Sequence, residues 1–337
     1  MRGRVAPLLL ALASCGSEEE PERVRVALLP YTSYALLIVA QDRGDFADQG
    51  LEVEFVRMPS SAGAVPLLAR GDLDVLPAFL GPGLLNAIAR GGDLRIVAGQ
   101  ARLRPADCPY MALIAREDLL KDGSLAVLNA GEPLVVSAEL ATVDEYLVEQ
   151  ALAAAGIGPA GFRIERLPDE AMGAALDAGA VDLALMGEPW LTRYLEARPR
   201  SLWRIAGEVA PGLQISAVAF GPRLLERDPG IGVRFLAGYL SGARRFAEGK
   251  TAGSIAAIAA VTGLDTELIE ATCWPAIPAD GRVDTTSVQA FQRWAVGKGY
   301  LDRVLEVERW WEPSFLDRAD SESPPPMGGH SATDGSR

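Results

Sequence analysis

Residues equipped for chemistry are few in this chain, and their placement limits what they can do. The single histidine, His330, stands in SESPPPMGGHSATDGSR, a stretch with almost nothing to bury. Nucleophilic or general acid–base catalysis needs a positioned base, and neither Cys108 nor Cys273 has a histidine to activate its thiol. Cys-x-x-Cys and His-Glu-x-x-His spacings, and a glycine loop followed by Lys-Ser/Thr, are absent. Neither metal nor cofactor is expected, and catalysis is disfavoured. What remains is a set of tyrosines, hydroxyls, one tryptophan and one glutamate clustered in turns, a group suited to holding a molecule.

Those turns have to be positioned by a scaffold, and the termini say where it would work. Met1-Arg2-Gly3-Arg4 is followed by the apolar run Val5 to Ala13 and then by Leu12-Ala13-Ser14-Cys15, the three parts of a secretion signal in order. The run is too short for a bilayer, which asks for about 20 apolar residues. A small-residue site ending at a cysteine resembles the bacterial lipoprotein signal. That resemblance implies removal of residues 1–14, lipid on Cys15, an acidic tether over 15–23, and a location on the periplasmic or cell-surface side. The net charge of −13, without a run of Lys and Arg, excludes the electrostatic footprint of a nucleic-acid binder. Cys108 and Cys273 are either a disulfide in an oxidising compartment or two buried thiols.

Between the ends, strand and helix alternate. Val24–Leu29 reads as a buried strand, Ala35–Gln49 as a helix closed by Gly50, and Leu51, Val53 and Phe55 as alternating strand residues. A helix to Arg70, a strand over Leu73–Leu76, a helix over Leu84–Arg90 and a strand over Leu94–Ala98 follow. The second half repeats the pattern, with strands at Ala112–Ala115, Leu134–Ser137, Phe162–Ile164 and Leu183–Met186 and helices at Thr142–Ala155 and Glu170–Ala178. Arg70-Gly71-Asp72-Leu73-Asp74-Val75 and Ala178-Gly179-Ala180-Val181-Asp182-Leu183 share a spacing that suggests two similar lobes. After the strand Gln214–Phe220 only helices are expected, the last over Leu301–Arg309. The class is α/β with a largely parallel sheet.

Several segments together resemble a family: Ala40-Gln41-Asp42-Arg43-Gly44-Asp45-Phe46 before Gly50-Leu51-Glu52-Val53, then Leu68 to Val75, Gly187-Glu188-Pro189-Trp190 and Asp280-Gly281-Arg282. They resemble the NMT1/THI5-like substrate-binding proteins of ABC importers for nitrate, sulfonate, taurine and thiamine-pyrimidine precursors. The resemblance implies a two-lobed type II periplasmic binding protein with two crossover hinge strands and C-terminal helices packed on lobe 1. Lobe 1 would hold residues 24–105 and 219–315, lobe 2 residues 106–218, and 316–337 would be a disordered tail. The implied partners are an ABC permease with its ATPase, a membrane reached through the lipid anchor, and a small-molecule ligand, with the protein itself a monomer.

Ligands of open parallel sheets settle at the carboxyl ends of strands. Here those are the loops Pro30–Tyr34, Pro59–Gly63, Pro77–Gly83, Ala138–Val143 and Gly187–Trp190, which supply Tyr31, Thr32, Tyr34, Ser60, Ser61, Leu80, Gly81, Thr142, Glu188 and Trp190 as the expected ligand site. Tyr31 and Tyr34 either stack on a planar ligand or cover the sheet end, and Ser60, Ser61 and Thr142 stand where helix caps are expected. Glu188 would accept a hydrogen bond from the ligand, or be a hinge acid. Trp190 would wall the site or belong to the core. With no Lys or Arg around the five loops, a flat neutral or weakly basic heterocycle such as an aminopyrimidine is favoured over sulfonate, taurine or nitrate.

Overall fold

The computed structural model describes residues 20–29, 31–103, 109–125 and 132–322. Cys15, Pro30, Cys108 and His330, together with the expected signal and tail beyond Glu322, lie outside the described residues. The strands are β1 (Glu22–Leu28), β2 (Leu51–Arg57), β3 (Val75–Phe79), β4 (Arg95–Gly99), β5 (Met111–Ala115), the short pair β6 (Leu120–Lys121) and β7 (Ser124–Leu125), β8 (Leu134–Ser137), β9 (Phe162–Glu165), β10 (Leu183–Gly187), β11 (Leu202–Ile205) and β12 (Ser216–Phe220). They form two five-stranded sheets, β2-β1-β3-β12-β4 and β9-β8-β10-β5-β11.

Each sheet has the same plan. Three strands alternating with helices run parallel, β1 with β2 and β3, and β8 with β9 and β10. Beside them lies one antiparallel strand that has crossed from the other lobe, β12 against β3 and β4, and β5 against β10 and β11. The sheets are therefore mixed where a largely parallel arrangement was expected, because each crossover delivers a strand pointing the other way. The helices between the strands are α1 (Ala35–Asp42), α2 (Ser61–Arg70), α3 (Pro82–Ala89), α4 (Val143–Ala154), α5 (Asp169–Asp177), α6 (Trp190–Ala197) and α7 (Ala206–Val209).

The shared glycine–aspartate spacing has a physical meaning in both lobes. Gly71 and Gly179 end α2 and α5 at φ 78° and 69°, left-handed conformations that cost other residues free energy. Three residues on, Asp74 Oδ2 accepts from the Arg25 backbone N–H at 2.8 Å, and Asp182 Oδ2 from the Val135 N–H at 2.9 Å. The aspartate backbones return the bond, Asp74 N–H to the Arg25 carbonyl at 2.9 Å and Asp182 N–H to the Val135 carbonyl at 2.8 Å. Each aspartate thus fixes the start of the third strand against the first. Arg25 and Arg223 neutralise the buried Asp74, and Arg116 neutralises Asp182.

The core follows the two-residue period of the strands. In β5 and β10, Leu113, Ala115, Leu183 and Leu185 belong to the large core, while the alternate residues Ala112, Ile114, Ala184 and Met186 join Met172, Leu176 and Leu191 in a second, smaller one. Burying each such large side chain contributes about 1.5–3 kcal/mol.

The chain after β12 forms α8 (Pro229–Ala247), α9 (Ala252–Thr262), α10 (Thr266–Ala271), α11 (Thr285–Gly297), α12 (Val307–Trp310) and α13 (Ser314–Glu322). Two glycines one turn apart let α8 close on lobe 1, since a Cβ on Gly238 would stand 2.7 Å from Phe46 and one on Gly242 2.6 Å from Ala40. Several expectations are corrected. The helix from Ala35 stops at Asp42, because Gly44 takes φ 81° and a short 3-10 turn follows. The expected Leu301–Arg309 helix is reduced to the single turn of α12. Residues 316–322, expected in the tail, belong to α13, whose Leu316 and Ala319 are buried. β12 lies wholly in the lobe 1 sheet, so that lobe resumes by Ser216 and not at 219. β11 and α6 had no distinct expectation. Cys273 is in a disulfide, whose partner lies outside the described residues.

Candidate functional site

The crossover strands run side by side, Ile215 N–H donating to the Ala101 carbonyl at 2.8 Å and the Gln214 side chain to the same carbonyl at 3.2 Å. They set the carboxyl ends of β1, β2 and β3 opposite those of β8, β9 and β10. A cavity of about 230 Å³ lies between them.

Lobe 1 contributes Tyr31 after β1, Ser60 and Ser61 at the start of α2, Phe79 at the end of β3, and Gly81 before α3. The Tyr31 and Phe79 rings meet edge to face at 4.9 Å. Both serines are already engaged: Ser60 caps α2 by accepting from Gly63 N–H at 3.2 Å, and Ser61 accepts from Phe79 N–H at 3.2 Å. Lobe 2 contributes Tyr110 at the approach to β5, Glu139 and Thr142 before α4, Asp144 in its first turn, and Arg166 and Asp169 around the start of α5. Thr142 also caps its helix, accepting from Asp144 N–H at 3.1 Å. The lobes touch at the mouth, where a Cβ on Gly81 would stand 3.7 Å from the Ala141 carbonyl oxygen and 3.8 Å from Thr142.

The expected residues therefore divide. Tyr31, Ser60, Ser61, Gly81 and Thr142 line the cavity; Thr32, Tyr34, Leu80, Glu188 and Trp190 do not. Tyr34 is buried and its hydroxyl donates to the Pro77 carbonyl, holding β3 from below. Leu80 is core, and its N–H donates to the Ile215 carbonyl at 2.8 Å, tying the β3 end to the crossover. Thr32 is buried in the turn before α1. Trp190 opens α6 beneath the Arg193 guanidinium.

Glu188 is 1% exposed, and its carboxylate accepts from Thr192 N–H (3.1 Å), the Thr192 hydroxyl (2.7 Å) and Cys273 N–H (2.9 Å). Burial pushes its carboxyl up, and those bonds oppose the shift. Its acceptors join lobe 2 to the segment after α10, the geometry of the hinge-acid alternative.

Sequence reasoning missed Phe79, Tyr110, Glu139, Asp144, Arg166 and Asp169. It counted five loops, while the sixth, between β9 and α5, carries Arg166 and Asp169. The absence of Lys and Arg was expected for the five loops only; the sixth brings Arg166 to the cavity, where its Nε is paired with Glu139 Oε2 at 2.6 Å. The net character of the wall is acidic. Burial, with the charges of Asp169 and Glu139, pushes the Asp144 carboxyl up to about 8. Asp169 is pushed up to about 6 by burial and by the charges of Glu170 and Glu139, against the hydrogen bond from Tyr31 and the charge of Arg166. Burial pushes Tyr110 up to about 12, opposed by hydrogen bonds to Ser33 and Thr32, and Tyr31 rises for the same first reason. Among the described residues no three His, Cys, Asp or Glu side chains converge to hold a metal ion.

Residues 17–199, more than half of the 337, match the sequence profile of the NMT1-like family. The chain belongs to that family. Over 190 aligned residues the chain is 28% identical to the bicarbonate transport ATP-binding protein CmpC of Synechocystis, a match that covers 52% of this chain and 27% of that relative. The chain thus spans about a quarter of that relative's length. Among solved structures, the periplasmic nitrate-binding protein NrtA from Synechocystis superposes with a TM-score of 0.72 at 15% identity, covering 90% of this chain and 89% of that one. A zinc-bound ligand-binding component of an ABC-type import system from Staphylococcus aureus gives 0.70 at 13%, covering 88% and 99%. The periplasmic aliphatic sulphonate-binding protein SsuA from Escherichia coli gives 0.65 at 17%, covering 87% and 93%. This NMT1-like chain therefore has the two-lobed fold of those binding proteins. Among its described residues, no helix is long and apolar enough to cross a membrane.

Proposed function

We propose that this protein is the extracytoplasmic solute-binding component of an ABC importer, tethered through lipid on Cys15, that captures a small flat molecule donating hydrogen bonds. The observation that carries this is the cavity of about 230 Å³ at the facing strand ends, with Tyr31, Phe79 and Tyr110 beside Asp144 and Asp169. Flat rings offer stacking area, and partly buried carboxylates repel an anionic solute while accepting from an amino group. A weakly basic heterocycle such as an aminopyrimidine meets both demands. Permease and ATPase follow as partners from the family. The lobes capture and release the ligand without transforming it.

An anionic ligand is the second reading, since the first turn of α3 behind Gly81 has no side-chain cap and leaves N–H groups able to receive an anion. Pairing of Arg166 with Glu139 takes away the cation that such a ligand would use.

One preparation tests both halves. Cys15→Ser should release the protein from the membrane fraction, and the released protein is titrated with the hydroxymethyl aminopyrimidine precursor of thiamine, taurine, an alkanesulfonate, nitrate and bicarbonate. A ligand at a hundred times its Kd stabilises by about 2.7 kcal/mol, so the pyrimidine should raise the melting temperature and the anions should not. Retention of the variant in the membrane overturns the tether. Saturable binding of an anion but not the pyrimidine overturns the ligand reading.

A further inference from the structure

The cleft wall holds an incomplete charge arrangement. Glu139 is satisfied by Arg166 at 2.6 Å toward the rim. Deeper, Asp144 makes no ion pair among the described residues, and Asp169 has only the Tyr31 hydroxyl from the opposite lobe and the already paired Arg166. Two carboxyl groups in a partly desolvated cavity are costly to ionise without a counter-charge, because buried charges are stable only when paired and hydrogen-bonded. The side chains facing Asp144 are Asp169 from α5, Glu139 from its own loop, Tyr31 from lobe 1 and Tyr110 from the approach to β5. All are acidic or neutral. Among the described lining residues the one cation, Arg166, is paired with Glu139 and lowers the cost of charge only at Asp169.

We infer that the cleft takes an organic cation, a small flat molecule whose protonated amidine or amine nitrogens sit between the carboxylates of Asp144 and Asp169, with the rings of Tyr31, Phe79 and Tyr110 beside it. The inference rests on the solute-binding reading and commits that reading to a charge. Carboxylates set apart on two helices of one lobe match a planar fork of N–H donors, and the aromatic faces of lobe 1 attract a cation as well as a flat ring. Tyr31 reaches from lobe 1 toward Asp169, so the same ion would be enclosed from both sides. Because burial pushes the Asp144 carboxyl up to about 8, an arriving cation displaces its proton to solvent. Binding should therefore release roughly one proton per ligand near neutrality and tighten as pH rises toward 8.

Three probes with one ring and different heads decide the matter by calorimetry: benzamidine, benzamide and benzenesulfonate. Benzamidine should bind at least tenfold more tightly than benzamide, benzenesulfonate should not compete, and buffers of different ionisation enthalpy should report proton release with benzamidine only. Asp144→Asn and Asp169→Asn should each weaken benzamidine at least tenfold while leaving benzamide unchanged or improved, which a misfolded variant could not do. Benzamide binding as well as benzamidine overturns the cation and leaves the neutral-heterocycle reading standing. Preference for benzenesulfonate overturns both. Absence of benzamidine binding at millimolar concentration overturns the inference while the aminopyrimidine titration judges the wider reading.

Discussion

Asp144 shows how a single side chain acquires a role that its type does not announce. An aspartate in the first turn of a helix ordinarily complements the helix dipole, and in sequence Asp144 and Asp169 are indistinguishable from such caps. Only the cavity makes them face inward, where burial raises their pKa values to about 8 and about 6. The sign of the consequence is fixed. In the unfolded chain Asp144 titrates in the ordinary carboxylate range, so between that range and about 8 the folded protein keeps a proton the unfolded chain has lost. The associated stability is complete at low pH and disappears as pH rises through about 8. Denaturant titrations of ligand-free protein should show wild type losing on the order of 1–3 kcal/mol between pH 6 and pH 9, while Asp144→Asn loses markedly less. Equal losses would place the titration elsewhere. Tyr31, Ser60, Ser61, Gly81 and Thr142, which line the cavity, announce themselves by cap and turn chemistry. Glu188 stayed ambiguous because a carboxylate in a strand-end loop reads the same whether it faces a ligand or a backbone N–H from a distant segment.

At the level of elements, periodicity and caps were sufficient for most strands and helices, because those signals are local. Long-range facts escaped: which strand crosses between sheets, that Leu316 and Ala319 find a buried face on α8, and that a sixth loop borders the site. The internal repeat contained the last of these, since β2–α2 supplies Ser60 and Ser61 and its counterpart β9–α5 supplies Arg166 and Asp169. The paired aspartates Asp74 and Asp182 make that equivalence measurable. Asp74 is fully buried and serves two arginines and a backbone N–H, whereas Asp182 is 18% exposed at its side chain and serves one arginine and one N–H. Removing a carboxylate strands its buried donors. Asp74→Ala should cost about 2–4 kcal/mol and Asp182→Ala about 1–2 kcal/mol, measured by chemical denaturation. A larger loss at Asp182 would contradict the ranking by burial.

Across the whole molecule, the lobes meet outside the cleft as well as within it, and this bears on how the clamp would move. The helices after β12 were expected on lobe 1, yet α11 also leans on α4 of lobe 2. Lys298 Nζ bridges Glu145 at 2.8 Å and Glu149 at 2.6 Å, Trp294 Nε1 donates to Glu149 at 2.6 Å, and the Tyr300 hydroxyl donates to Glu145 at 2.9 Å. Burial pulls the Lys298 pKa down, but hydrogen bonds to the two glutamates outweigh it and raise the value. Glu145 also accepts from the Ala141 N–H at 2.7 Å, holding Ala141 at φ 58° on the cavity wall. The bridge thus joins α11 to the loop that meets Gly81 across the cleft. If α11 travels with lobe 1, opening must break these contacts, and they favour the closed form. Lys298→Met leaves the packing stem but removes the cation, so the closed population should fall. Small-angle scattering should find a larger radius of gyration for the ligand-free variant than for ligand-free wild type, and saturating ligand should bring both to the same value. Affinity should drop by the factor in which the closed population drops, with the order of preference among head groups unchanged. An identical radius and affinity in the variant would mean that α11 moves with lobe 2 and that the hinge bends between α11 and the rest of lobe 1.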